Sequence, residues 1–252
     1  MFSASMLGRG GPYDAQPGFG PVLTALSGHT NFTGWPDRVP VSPYGAYTDF
    51  LVPHLAFAAI CAAIDQKRRT GVGQYLDLSQ LEAALYFSGT PVMDYLANNN
   101  LQERSGNQDP DMAPHGIYKC FGDDRWCAIA CESDEQWGSL AKLISQPELA
   151  NEARFSSLAK RKKNSIELDN LIEQWTVLWS PDEVMAICQS QGIPAGAVRD
   201  SKDLFSDPQN IHRGHFVFME HSEMGNYASD SSGIIMSETL PNYRPAPLLG
   251  EH

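Results

Sequence analysis

The sequence predicts an α/β chain in two parts, and three observations predict it. Helical apolar spacing over about residues 49–69 leads into a short alternating strand at residues 74–78, the pattern of one strand–helix–strand unit. Two strand-like runs at 115–120 and 126–131, joined by Gly122, Asp123 and Asp124, precede several capped helices, the pattern of a small α+β domain. Apolar residues make up 42% of the 252 and charged residues 19%, a globular mix and not a disordered one.

Taken in order, residues 3–7 read as the end of a strand and residues 8–12 as a glycine-rich turn. Gly20 is read as the cap of a short helix opened by Pro21 and ended by Gly28. Residues 31–47 carry Pro36, Pro40, Pro43 and Gly45 and read as loop. The helix over 49–69 has a wide apolar face, a kink expected at Pro53, and Lys67, Arg68 and Arg69 in its last turn, where cations oppose the negative helix end. Ser79 and Glu82 have capping-box spacing and start one helix to about residue 98. Residues 98–114 are polar and loop-like. Past the hairpin, helices are expected at 134–145, 162–178 and 181–191, then a strand at 195–198 and an irregular tail. The run of residues 160–163 reads as a solvated helix start. A complete parallel sheet needs several strand–helix–strand units, and only about one precedes residue 112, so the chain reads as incomplete.

The balance of 18 basic and 30 acidic side chains gives −12, which disfavours nucleic acid and anionic lipid as partners. The longest apolar run, 50–64, is interrupted by Pro53 and His54, short of the roughly 18–20 residues of a membrane span. The N-terminus lacks the basic start and apolar stretch of an export signal, so the cytoplasm is expected. The five cysteines include no C-x-x-C pair; Cys120, Cys127 and Cys131 are expected as buried free thiols, with no metal.

The order of motifs adds a resemblance. Gly11-Pro12-Tyr13, Gln16-Pro17-Gly18-Phe19-Gly20, Ala25-Leu26-Ser27-Gly28 and Thr33-Gly34 come first. Asp49 with the apolar helix behind it follows, and then the unbroken run of residues 69–83, which begins Arg69-Thr70-Gly71-Val72-Gly73-Gln74. Together they resemble the segment around the active site of family III coenzyme A transferases, the carnitine CoA-transferase and formyl-CoA transferase family. Gly116-Ile117-Tyr118, Ile193-Pro194-Ala195-Gly196, Asp207-Pro208-Gln209 and the terminal stretch 244–252 extend the resemblance over essentially the whole chain.

The resemblance implies a fold: an incomplete Rossmann-like large domain plus linker helices and a small α+β domain. Its parts would be residues 1–47 (end of the large domain), 48–111 (linker helices), 112–200 (small domain) and 201–252 (return segment), truncated at both ends. It implies a homodimer, or a heteromer with a related subunit. It also implies transfer of coenzyme A, bound as its acyl-CoA, to a carboxylic acid through an enzyme aspartate. That carboxylate attacks the thioester to form a mixed anhydride, and the returning thiolate then makes an aspartyl-CoA thioester.

By the same comparison the aspartate falls on Gly20, which has no side chain. No catalytic residue is then expected, and an Asp-bearing partner would be required; Asp14 is a weak substitute. Asp49 and Phe50 fall beside the site. Gly106, Asn107 and Gln108 fall where the family has a glycine-rich loop that closes over it. His115 is either a ligand contact or a structural histidine. Asp77 and Glu82 fit turn and cap roles. The alternatives are an acyl-CoA racemase of the same superfamily, whose aspartate would fall on the same glycine, and a truncated scaffold without catalysis.

Overall fold

A computed structural model describes residues 1–251; His252, the last residue of the terminal stretch 244–252, lies outside the described residues. The chain divides into two compact units, Met1–Gly116 and Ile117–His252.

The first unit holds β1 (Phe2–Ser5), α1 (Gly20–Leu26), α2 (His29–Phe32), α3 (Tyr47–Thr70), β2 (Leu76–Ser79), α4 (Gln80–Phe87) and α5 (Gly89–Asn98). β1 and β2 pair in parallel, with Phe2 opposite Leu76 and Ser5 opposite Ser79. Parallel pairing needs a long crossover, which the intervening helices supply. The turn after β1 is latched to β2, because the Arg9 backbone N–H donates to Asp77 Oδ2 at 3.0 Å. Asp77 therefore has the turn-forming role. Ser79 caps α4 by accepting from the Glu82 N–H at 3.2 Å.

Helix α3 starts two residues before the expected point, so Pro53 lies inside it and not at its start. Only Thr48, Val52 and Ala56 are buried, a single i, i+4, i+8 stripe. Its 24 residues are, by length and composition alone, long and apolar enough to cross a membrane, which corrects the expectation that no stretch reaches that length. The apolar run of residues 50–64 contains Pro53 and His54, and the helix continues through both and on to Thr70.

The helix expected to run from Ser79 to about residue 98 is two. It breaks at Ser88, whose buried hydroxyl donates to the Ser27 carbonyl at 3.4 Å, and restarts through Gly89 and Pro91. The loop expected at 31–47 begins inside the short helix α2.

The second unit is built on a three-stranded sheet of order β3–β4–β5: β3 (His115–Lys119, whose first two residues precede the division), β4 (Trp126–Ala130) and β5 (Ala195–Ala197). α6 (Asp134–Leu143), α7 (Leu158–Lys163), α8 (Ser165–Thr176) and α9 (Pro181–Ser190) surround it, and α10 (Ser201–Ser206), α11 (Pro208–Arg213) and the antiparallel hairpin β6 (Phe216–His221)–β7 (Gly225–Asp230) follow. β4 alternates as a half-buried strand should, with Cys127 and Ile129 inward. Trp137, Leu140 and Ile144 of α6 and its C-cap, Leu168 and Ile172 of α8, and Val184 and Cys188 of α9 complete one cluster. Trp137 meets Phe155 edge to face at 6.0 Å.

The basic run 160–163 is not wholly solvated. Arg161 is buried, donating to the Phe155 carbonyl at 3.2 Å and to Asp134 Oδ1 at 2.8 Å. A guanidinium withdrawn from water needs such partners. All five cysteines are free. Burial pushes the Cys120 and Cys188 thiols up to about 11 and those of Cys127 and Cys131 up to about 12, so they are poor nucleophiles at neutral pH.

Candidate active site

Helix α1 begins against the first turn of α3. Phe19 is its N-cap, so Gly20 is the first helical residue and not the cap, with Pro21 second. Thr24 Oγ1 donates to the Gly20 carbonyl at 2.9 Å, and Leu23, Thr24 and Ser27 are buried. On the other side, Asp49 lies in the first turn of α3, its N–H donating to the Ala46 carbonyl at 2.9 Å. An acidic residue there is favoured by the helix dipole.

Gly20 lies so close to that turn that no side chain fits. A Cβ on it would stand 2.2 Å from Ala46 Cβ, 2.8 Å from Ala46 Cα and 2.7 Å from Asp49 Oδ2. The place left bare by Gly20 is thus not vacant: the carboxylate of Asp49 reaches it. That carboxylate takes part in no hydrogen bond or ion pair among the described residues. It is half-buried, beside the buried Thr48 hydroxyl, which also has no partner among the described residues. A carboxylate committed to no cation and no donor is free to act on an incoming carbonyl. Asp14, the other acidic residue weighed for this place, is exposed.

Behind this turn stands His29, which shows no usable pattern in the sequence. Its Nδ1 is 2.9 Å from Ser27 Oγ, its Nε2 is 3.5 Å from Ser88 Oγ, and its ring lies 5.3 Å from that of Tyr47, the first residue of α3. Burial lowers its pKa, which favours the neutral ring. The signal that could have found it is Ser27-x-His29 just after a helix C-terminus.

The other residues singled out by sequence form a second group. Gly106 has φ +59°, and a Cβ on it would stand 2.3 Å from the Trp35 ring. Its N–H donates to the Gly34 carbonyl at 2.9 Å. Gln108 N–H donates to the Ser105 carbonyl at 3.0 Å, closing a turn. His115 Nδ1 is 2.6 Å from the Asn107 carbonyl, which fastens the end of the segment. Phe50 is 64% exposed, on the turn that carries Asp49. The structure thus joins Gly106, Asn107 and His115 in one braced segment and Asp49 with Gly20 in another. Among the described residues there is no group of His, Cys, Asp and Glu that could hold a metal.

A family model described as CoA-transferase family III matches residues 1–252. The chain is 31% identical over 253 residues to the succinyl-CoA–D-citramalate CoA-transferase of Chloroflexus aurantiacus, covering 100% of this chain and 63% of that protein. It is 29% identical over 248 residues to the succinyl-CoA–L-malate CoA-transferase alpha subunit of Chloroflexus aurantiacus, covering 98% of this chain and 56% of that one. Its fold matches the crystal structure of a CAIB/BAIF family protein from Brucella suis with a TM-score of 0.80 and 29% identity, covering 91% of this chain and 63% of that one. The chain therefore spans less than two thirds of these relatives.

Proposed function

The chain belongs to CoA-transferase family III, and on that premise we propose that it moves coenzyme A between an acyl-CoA donor and a carboxylic acid, with Asp49 as the acyl-accepting carboxylate. The observation that carries this reading is the uncommitted Asp49 carboxylate resting against the bare face of Gly20.

The chemistry balances without a cofactor other than the CoA substrate. An Asp49 oxygen attacks the thioester carbonyl carbon, the C–S bond breaks, CoA thiolate leaves, and a mixed anhydride forms. The thiolate attacks the aspartyl carbonyl, releases the donor acid and leaves an aspartyl-CoA thioester. The acceptor carboxylate attacks that thioester, and the expelled thiolate then takes the acceptor acyl group, which frees Asp49. Splitting the exchange this way replaces one difficult step with several easier ones. Gly106, Asn107, Gln108, His115 and Phe50 are proposed to border the substrates, in the braced segment and on the outer side of the Asp49 turn.

This assignment keeps the nucleophile within the chain, so an Asp-bearing partner is not needed for the chemistry. An assembly is proposed on a different ground. Helix α3 buries only three residues while Phe50 and Phe57 stand exposed, a surface suited to cover by a second copy or a related subunit. One relative carries the name of an alpha subunit, which makes a heteromer a reasonable form of that assembly.

The test is Asp49→Asn in the intact protein, assayed with succinyl-CoA and a panel of acids. Turnover falls roughly a thousandfold or more, and the acyl adduct found on the Asp49 peptide by mass spectrometry disappears. Undiminished turnover by the variant would remove Asp49 from the mechanism. Gly20→Asp, by contrast, creates no second nucleophile, because its first carbon already meets Ala46.

A further inference from the structure

Helix α5 carries Val92, Tyr95 and Leu96 on one face yet buries none of its residues. An amphipathic helix whose apolar face meets no core is waiting for something to cover it. That face lines a cavity of about 580 Å³, shared with Phe32 and Pro36. The size lies within the roughly 300–1,000 Å³ of small-molecule sites.

One cation belongs to this lining. Arg104 Nη1 is 3.4 Å from the Asn31 carbonyl, a long contact, and Arg104 Nε is buried with no partner among the described residues. Glu103, which also borders the cavity, makes no ion pair with it. The segment is held in place, since the Gly106 N–H donates to the Gly34 carbonyl just beyond Arg104. A guanidinium short of partners beside an apolar wall is costly to leave as it is. Its planar fork suits a carboxylate better than a neutral group.

We propose that this cavity binds a carboxylic acid with a hydrocarbon body, the carboxylate on Arg104 and the chain along Val92, Tyr95 and Leu96. The proposal goes beyond the transfer reaction and does not depend on Asp49, since it asks the cavity only to bind.

The probe is sodium octanoate, titrated calorimetrically into the intact protein, with acetate and octanol as the two half-ligands. Octanoate binds, and each half-ligand binds at least about tenfold more weakly. Arg104→Gln and Leu96→Glu each weaken octanoate about tenfold or more, the first by removing the cation and the second by placing a like charge in the wall. Leu96 is 76% exposed, so its replacement leaves the packing intact and keeps the test decisive if Arg104→Gln misfolds. Absence of octanoate binding, equal binding of octanoate and octanol, or indifference to both substitutions overturns the proposal.

Discussion

Residues 117–252 and residues 1–116 bury their apolar side chains in opposite ways. Among the described residues, sixteen of the twenty-two buried hydrophobics lie in the later region, including Trp137, Phe155 and Tyr118. The earlier region holds six, and four of them are alanine: Ala56, Ala83, Ala84 and Ala113. Yet the earlier region carries the long apolar α3, the Asp49–Gly20 pair and the cavity at Arg104. The difference teaches where each draws its stability. The later region has a core of its own. The earlier one is a platform whose alanines let helices approach closely and whose larger side chains are left for another surface.

The largest expected effect sharpens that contrast. Trp137 is 1% exposed in the core cluster, and Trp137→Ala should cost about 3–5 kcal/mol of unfolding free energy in denaturant titration. Phe57→Ala removes a comparable ring from α3, where Phe57 is 70% exposed, and should change the stability of the isolated chain by less than about 0.5 kcal/mol. Equal costs at the two positions would erase the distinction between the regions.

Gly20→Ala probes the platform at its tightest point. The new methyl meets Ala46 and the Asp49 carboxylate, so overpacking should cost about 1–3 kcal/mol. If Asp49 is the nucleophile, kcat should fall further than that loss accounts for, because the carboxylate is displaced. Adding Ala46→Gly removes the shortest clash and should restore part of both. A wild-type kcat in Gly20→Ala would mean that the close approach of α1 to the α3 turn does not hold the carboxylate.

Much of the fold was legible because local chemistry dictates it. Proline at the second position of α1, the Ser79 and Ser180 caps, Gly71 with φ +74° after α3, and the alternation of β4 are all written in a few consecutive residues. What was not legible depends on residues far apart in sequence. The break between α4 and α5 is set by Ser88 reaching Ser27 and His29, about sixty residues earlier. The buried place of Arg161 depends on Asp134, 27 positions away. The site was legible in part. The motifs placed a bare glycine where a carboxylate was expected, with Asp49 beside it, but the contact between the Asp49 carboxylate and the bare face of Gly20 comes from the packing of α1 against α3. A single sequence gives no measure of such an approach, because glycine at a helix start has an ordinary explanation in capping.

The smallest expected effect tests whether the later region rests on its core or on a half-buried carboxyl group. Burial raises the pKa of Asp169 from its ordinary value of 3.8, partly offset by the Tyr118 hydroxyl, which donates to its Oδ1 at 2.8 Å. A raised pKa means that the native state holds the proton to higher pH than the unfolded chain does. The contribution of this group is then fully present below about pH 3.8 and is lost as pH rises through the folded value. Asp169→Asn keeps an acceptor for Tyr118 and removes the charge. It should flatten that decline and leave the protein at pH 7 equally stable, or up to about 1 kcal/mol more stable, by denaturant titration across pH. A loss larger than about 1 kcal/mol at pH 7 would instead mean that the ionised Tyr118–Asp169 contact holds β3 to α8. The later region would then depend on a specific polar contact as well as on its core, and apolar burial alone would not separate the two.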